Sequence, residues 1–181
     1  MTVGVLIVSK GRESLIDTLK SVVSETFRDD EIKVIMDGVD IPSFSSEFPS
    51  VEFIKEEKHG YYGHPLRGKY QCSFENSDYI LNVDDDDVLN LGWRSMISLY
   101  HRRGGFDLIL FNYIERKSKT NSVYTSGVIP AITGNVVFRN EPTFTKPKWG
   151  NFAGGDTERV AKMIRRGARV SQSEFAVMIK G

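Results

Sequence analysis

Cysteine is nearly absent from this chain. The single Cys72 excludes an internal disulfide framework and any metal site built from several cysteines. Long apolar runs are missing as well, so no segment is long enough to span a bilayer as a helix. The opening residues, MTVGVLIVSKGR, carry no charged leader before their apolar segment and no small-residue cleavage site. They read as a first strand rather than a signal peptide, and a cytoplasmic location is the expectation. There is no internal repeat, no low-complexity tract and no linker. The length, 181 residues, fits a single domain over 1–181 with one core.

Net charge is also zero, but the charges are unevenly placed. Residues 1–90 hold 9 Lys and Arg against 18 Asp and Glu; residues 91–181 hold 15 against 6. Such asymmetry suits a polyanionic partner for the basic half, with Arg116, Lys117 and Lys119, Lys146 and Lys148, and Arg165, Arg166 and Arg169 as its clusters. The other reading is ordinary solvating charge, intermixed once the chain folds.

What is present in abundance is acid at one place. The apolar run Tyr79-Ile80-Leu81-Asn82-Val83 reads as a buried strand and ends in four aspartates, Asp84 to Asp87. Four adjacent carboxylates repel one another, and a divalent ion taking oxygen ligands, Mg²⁺ or Mn²⁺, offsets that repulsion directly. A solvated acidic loop is the alternative. The run lacks the alternating pattern of a calcium loop.

Strand and helix patterns alternate along the first half. Val3 to Val8 is apolar on both faces and predicts a central strand. After the turn Ser9-Lys10-Gly11-Arg12, the residues Leu15, Ile16, Leu19, Val22 and Val23 recur at helical spacing. Lys33–Met36 predicts a second strand ending at Asp37-Gly38, and Val51–Ile54 a third. The loop His59-Gly60-Tyr61-Tyr62-Gly63-His64-Pro65 follows, then a short helix over 67–76 that holds Cys72 as a buried small residue. A helix opens after Gly92 at Trp93. The second half is less regular: strands at Asp107–Tyr113, Val136–Phe138 and Arg169–Val177, and a helix from about Thr157 to Arg166 after the glycine-rich loop Trp149–Asp156. This alternation predicts an α/β domain with a mainly parallel central sheet flanked by helices. Ligands of such sheets sit beyond the carboxyl ends of strands. The segments Ser9–Arg12, Asp37–Asp40 and Asp84–Asp87 all follow strand ends.

These features resemble a nucleotide-sugar glycosyltransferase of the GT-A fold, most like family 2. The resemblance runs from VGVLIVSKGR to GGDTERVAKMIRRG. It rests on the polar turn Ser9–Arg12, on Asp37 after the second strand, on Asp84-Asp85-Asp86 as the Asp-x-Asp motif, and on Gly155-Asp156 before a helix. The family commonly has Glu-Asp at the last position, and its usual Ala-Arg-Asn after the glycine loop is missing here. The resemblance implies a metal-dependent hexosyltransferase moving a sugar from a nucleotide diphosphate sugar, a UDP-sugar, to an acceptor hydroxyl with inversion. Residues 1–90 would form the nucleotide-binding half and 91–181 the acceptor half. Asp84 and Asp86 would hold Mn²⁺ or Mg²⁺. Ser9, Arg12, Asp37, Arg67, Asp84 and Asp85 would bind the donor, Asp37 at the base, Asp84 or Asp85 at the ribose, and Arg67 or Lys69 at the phosphates. Asp156 would be the general base, or else a helix N-cap.

The acceptor is read as a glycan, a DNA base carrying a hydroxyl, or a lipid-linked phosphate at a membrane surface, so peripheral membrane contact belongs to the expectation. His59 and His64 fit structural hydrogen bonds, or contacts to the diphosphate or a metal; Trp149, Phe152, Tyr61 and Tyr62 fit a ring platform or core packing. Two other function classes are a sugar-phosphate nucleotidyltransferase, against which the glycine-poor Ser9–Arg12 turn argues, and a non-catalytic nucleotide-sugar-binding module.

Overall fold

A computed structural model describes residues 1–117, 120–124, 136–145 and 155–180. The first strand, β1 (Val3–Ser9), is buried along its whole length, as expected of a strand apolar on both faces. Helix α1 (Leu15–Val23) follows and turns Leu15, Leu19 and Val22 inward at helical spacing. Next come β2 (Glu31–Asp37), a 3₁₀ turn over Ser43–Glu47, and β3 (Val51–Glu56). Helix α2 (His64–Tyr70) leads into β4 (Tyr79–Asp84). A short β5 (Asp87–Leu89) and helix α3 (Trp93–Arg102) close the first half. The second half contributes β6 (Leu108–Lys117), β7 (Thr120–Tyr124), β8 (Val136–Arg139), α4 (Pro142–Thr145), α5 (Gly155–Arg165) and β9 (Val170–Lys180).

All nine strands among the described residues belong to one sheet, ordered β3-β2-β1-β4-β8-β6-β9-β5, with β7 on β6. The strands β3, β2, β1 and β4 are mutually parallel. Strand β8 runs against both β4 and β6, and β6 and β9 are parallel. The carboxyl ends of β1, β2, β3, β4, β6 and β9 therefore all lie along the same edge. The predicted α/β fold with a central sheet and flanking helices is the one observed. Antiparallel pairings enter at β8, β7 and β5.

The sheet divides two apolar cores. One is formed with α1 and α3 and includes Leu15, Leu19, Trp93, Ile97 and Phe111. The other is formed with α2 and α5 and includes Leu66, Phe74, Val160 and Met163. A fully buried ion pair anchors the entry to α3. Arg94 Nε and Nη2 donate to Asp30 Oδ2 and Oδ1 at 2.6 and 2.9 Å, while Asp30 also accepts from Val3 N and Phe27 N. Every acceptor of that carboxylate is thus used, which is the condition for a buried charge to be tolerated.

The helix expected over 67–76 starts and ends earlier. Pro65 sits in its first turn, where the missing N–H costs nothing, and a 3₁₀ turn takes over at Gln71–Ser73. Cys72 falls in that turn and is exposed, against the expectation of burial. Gln71 takes the inward position instead, donating to the Thr145 carbonyl. The helix α5 begins two residues before its expected start. No helix among the described residues is long and apolar enough to cross a membrane.

Candidate donor-binding site

The aspartate run sits at the carboxyl end of β4, where the chain reverses. Asp84 is the last residue of β4, Asp85 and Asp86 form the turn, and Asp87 opens β5. Because the chain reverses there, the side chains separate into two groups. Asp84, Asp86 and Asp87 offer carboxylate oxygens that all lie within 4.8 Å of one another. Asp85 is not part of that cluster and is buried.

Asp85 is tied into the first turn. Its Oδ2 accepts from Ser9 Oγ at 2.7 Å and from Lys10 N at 3.2 Å, and its carbonyl accepts from Ser14 Oγ at 2.9 Å. Ser9 Oγ in turn accepts from Gly11 N at 3.0 Å. Two arginines enter from neighbouring elements. Arg12 Nη1 donates to Asp86 Oδ2 and lies 3.4 Å from Asp85 Oδ1. Arg67, buried on α2, donates through Nη2 to Asp84 Oδ1 at 2.5 Å and through Nη1 to the Tyr62 carbonyl at 2.7 Å. The other cation considered for phosphate contact, Lys69, pairs with Glu56 at 2.5 Å instead. The Glu56 carboxyl is held below its usual range first by hydrogen bonds from Lys69 and then from Tyr70.

Asp37 ends β2 at the same edge and is nearly inaccessible, at 3 % exposure. Its carboxylate accepts from His59 N at 2.6 Å and Gly60 N at 3.2 Å. Its neighbour Gly38 has φ 77°, and a Cβ there would meet Lys58 Cβ at 2.5 Å, so only glycine fits this crossing. Asp37 thereby fastens the loop that carries Tyr61 and Tyr62. Those two tyrosines are exposed and left-handed, at φ 50° and 57°, between Gly60 and Gly63, also left-handed. His64 is buried at the start of α2, and the His59 ring lies 3.9 Å from Glu56.

The structure thus brings Ser9, Arg12, Arg67, Asp84, Asp85 and Asp86 together at one edge of the sheet, with Asp37 beside them. Asp87 joins Asp84 and Asp86, whereas the Asp-x-Asp spacing pointed to the first two alone. Asp156 is the second residue of α5, inside the helix; its side chain lies outside the described residues, as do Lys119, Lys146, Lys148 and Trp149 to Gly154. Five exposed arginines among the described residues of the second half lie elsewhere. Arg102 and Arg103 precede β6, and Arg165, Arg166 and Arg169 precede β9, so all five occupy the edge opposite the aspartates.

An acidic strand end backed by parallel strands, with arginines and a buried aspartate alongside, stands at the carboxyl edge of a sheet that has the GT-A fold. The fold is shared with solved structures of S. aureus TarS. TarS 1–349 superposes with a TM-score of 0.79 over 99% of this chain at 13% identity. Its complexes with UDP and with UDP-GlcNAc both give 0.78 at 13% identity. This chain spans 60% of TarS 1–349 and 36% of a longer TarS structure. No protein-family model matches the chain, and no curated protein sequence does.

Proposed function

We propose that the protein transfers a sugar from a UDP-sugar to an acceptor hydroxyl, with inversion and with Mn²⁺ or Mg²⁺ as cofactor. The observation that carries this reading is the convergence of Asp84, Asp86 and Asp87 at the end of β4, on a fold whose solved relatives include a UDP-GlcNAc complex. Three carboxylates within reach of one another are the hard oxygen donors that such ions take, so the donor set fits. A bound ion would act as a Lewis acid toward the diphosphate leaving group.

The chain's own residues supply the rest. Arg12 and Arg67 bring positive charge to the edge where the diphosphate would lie. Asp85, locked to Ser9 and the Lys10 amide, fixes the turn that carries Arg12. Asp37 holds the tyrosine loop in place through the His59 and Gly60 amides, and this is its contribution whether or not a base also approaches it. In the transfer, the acceptor oxygen bonds to the anomeric carbon as the bond to the diphosphate breaks. The acceptor proton passes to the Asp156 carboxylate, and the nucleoside diphosphate leaves.

For the acceptor, the proposal is a glycan hydroxyl. A DNA base carrying a hydroxyl, suggested by the chain's size and its charge asymmetry, is the alternative acceptor. The test is a panel of nucleotide sugars measured by calorimetry, with Mn²⁺ and with EDTA. A UDP-sugar that binds with Mn²⁺ and loses most of its affinity in EDTA is the expected result. Equal affinity in both conditions removes the metal from the proposal, and no binding by any nucleotide sugar removes the function.

A further inference from the structure

Asp84 and Asp86, in the carboxylate cluster, already have cationic partners supplied by the chain. Arg12 holds Asp86, and Arg67 holds Asp84. The repulsion within the aspartate run is therefore relieved without any ion. A divalent ion on the same carboxylates would sit within a few ångströms of two guanidinium groups, and like charges at that separation repel strongly.

The two arginines differ in how firmly they are held. The Arg67 side chain is 3% exposed, and its second amino group is fixed by the Tyr62 carbonyl. It cannot leave Asp84 without also releasing the left-handed turn at Tyr61 and Tyr62. The Arg12 side chain is 54% exposed and follows Gly11, whose φ is 80°. Its contacts with Asp86 and, at 3.4 Å, Asp85 lie at a solvent-exposed end of the side chain, with no anchor among the described residues like the one the Tyr62 carbonyl gives Arg67.

We infer that Arg12 competes with the divalent ion for Asp86, so that ion and nucleotide diphosphate bind as a pair and each alone binds weakly. The diphosphate is the anion that draws Arg12 off the carboxylate, leaving Asp86 for the ion. Arg67 stays in place as a fixed positive charge that disfavours an ion arriving without its phosphate. This inference rests on the reading of the aspartates as the donor site.

The experiment measures Mn²⁺ affinity, with and without UDP, for the wild type and Arg12→Gln. Arg12 is half-exposed, so the variant folds, which circular dichroism checks. Wild-type affinity for Mn²⁺ should rise on adding UDP. In Arg12→Gln, affinity for Mn²⁺ alone should be about two- to fivefold tighter, the range expected on removing a partly exposed ion pair. The gain produced by UDP should shrink in the same variant. Unchanged or weaker binding of Mn²⁺ alone by Arg12→Gln would overturn the competition, as would a wild type that UDP does not affect. A wild type that binds no Mn²⁺ even with UDP would be a different failure, one that removes the donor-site reading itself.

Discussion

The Ser9 hydroxyl donates to Asp85 Oδ2 at 2.7 Å, and this bond joins the turn after β1 to the turn after β4. Both groups are buried, and Asp85 also receives the Lys10 amide. Asp85→Ala leaves the Ser9 hydroxyl without its acceptor and should cost about 1–3 kcal/mol of stability. Asp86→Asn, at a half-exposed side chain of equal volume, should stay within about 0.5 kcal/mol of wild type and lose transfer. Urea unfolding and a transfer assay on both variants separate a structural aspartate from a functional one. Equal unfolding midpoints for Asp85→Ala and wild type would contradict the locked-turn account.

Much of this edge was legible in the sequence, for a physical reason. Strands buried on both faces, such as Val3–Val8 and Tyr79–Val83, write continuous apolar runs that end abruptly at polar residues. Those ends mark the carboxyl edge of the sheet, so the placement of Ser9, Arg12, Asp37 and Asp84 along it could be named in advance. What stayed hidden was the direction of the side chains. A strand alternates, but the reversal at Asp85 and Asp86 brings Asp87 beside Asp84 and turns Asp85 inward. Strand β5 has only three residues, and its partner β9 is some ninety positions away. The pairing of Arg67 with Asp84 depends on a loop conformation that no spacing reveals. The basic half was open for a similar reason, since sequence gives charge but not the end of the strand at which it falls.

The left-handed turn at Tyr61 and Tyr62 makes a second prediction. A non-glycine residue in this conformation costs roughly 1–2 kcal/mol. Arg67 and Asp37 hold the turn through the Tyr62 carbonyl and the Gly60 amide, so the conformation persists despite that cost. Tyr62→Gly should therefore melt at or above the wild-type temperature, even though an aromatic ring is lost. Tyr62→Val, branched at Cβ, should melt lower. If the two variants melt together, the turn carries no strain.

Asp107 governs the opposite edge. Its carboxylate accepts from Arg169 N at 2.9 Å and Arg169 Nε at 3.2 Å, and Arg139 Nε lies 3.3 Å away. Burial pushes its pKa up, but the hydrogen bonds from Arg169 and the charges of Arg169 and Arg139 outweigh burial and hold it below the usual carboxylate range. A carboxyl lowered in the folded state stabilises fully above its unfolded pKa. That contribution disappears as pH falls through the lowered value, in the region below about pH 4. Asp107→Asn should cost about 1.5–3 kcal/mol at pH 7. Melting temperatures from pH 7 to pH 3 should converge for variant and wild type at the acid end. Parallel profiles would assign the acid loss to other carboxylates.

Asp156 provides the sharpest test of the chemistry. It lies in the first turn of α5, where a carboxylate is favoured by the helix dipole whether or not it takes part in catalysis. The two roles differ in what a neutral isostere does. As general base, Asp156→Asn removes the proton acceptor but keeps volume and hydrogen-bonding capacity. Turnover should fall by roughly 10² to 10⁴, while affinity for the donor stays close to wild type. As a helix-end charge alone, the same change costs about 0.3–1 kcal/mol of stability and leaves turnover intact. Glu158, two residues on, keeps negative charge near the helix start in both variants, so a large stability loss is not expected from either role. Single-turnover kinetics, donor calorimetry and melting on the same preparation read the three quantities separately. A variant with full turnover and a slightly lower melting temperature would take the base away from Asp156 and return the residue to the helix.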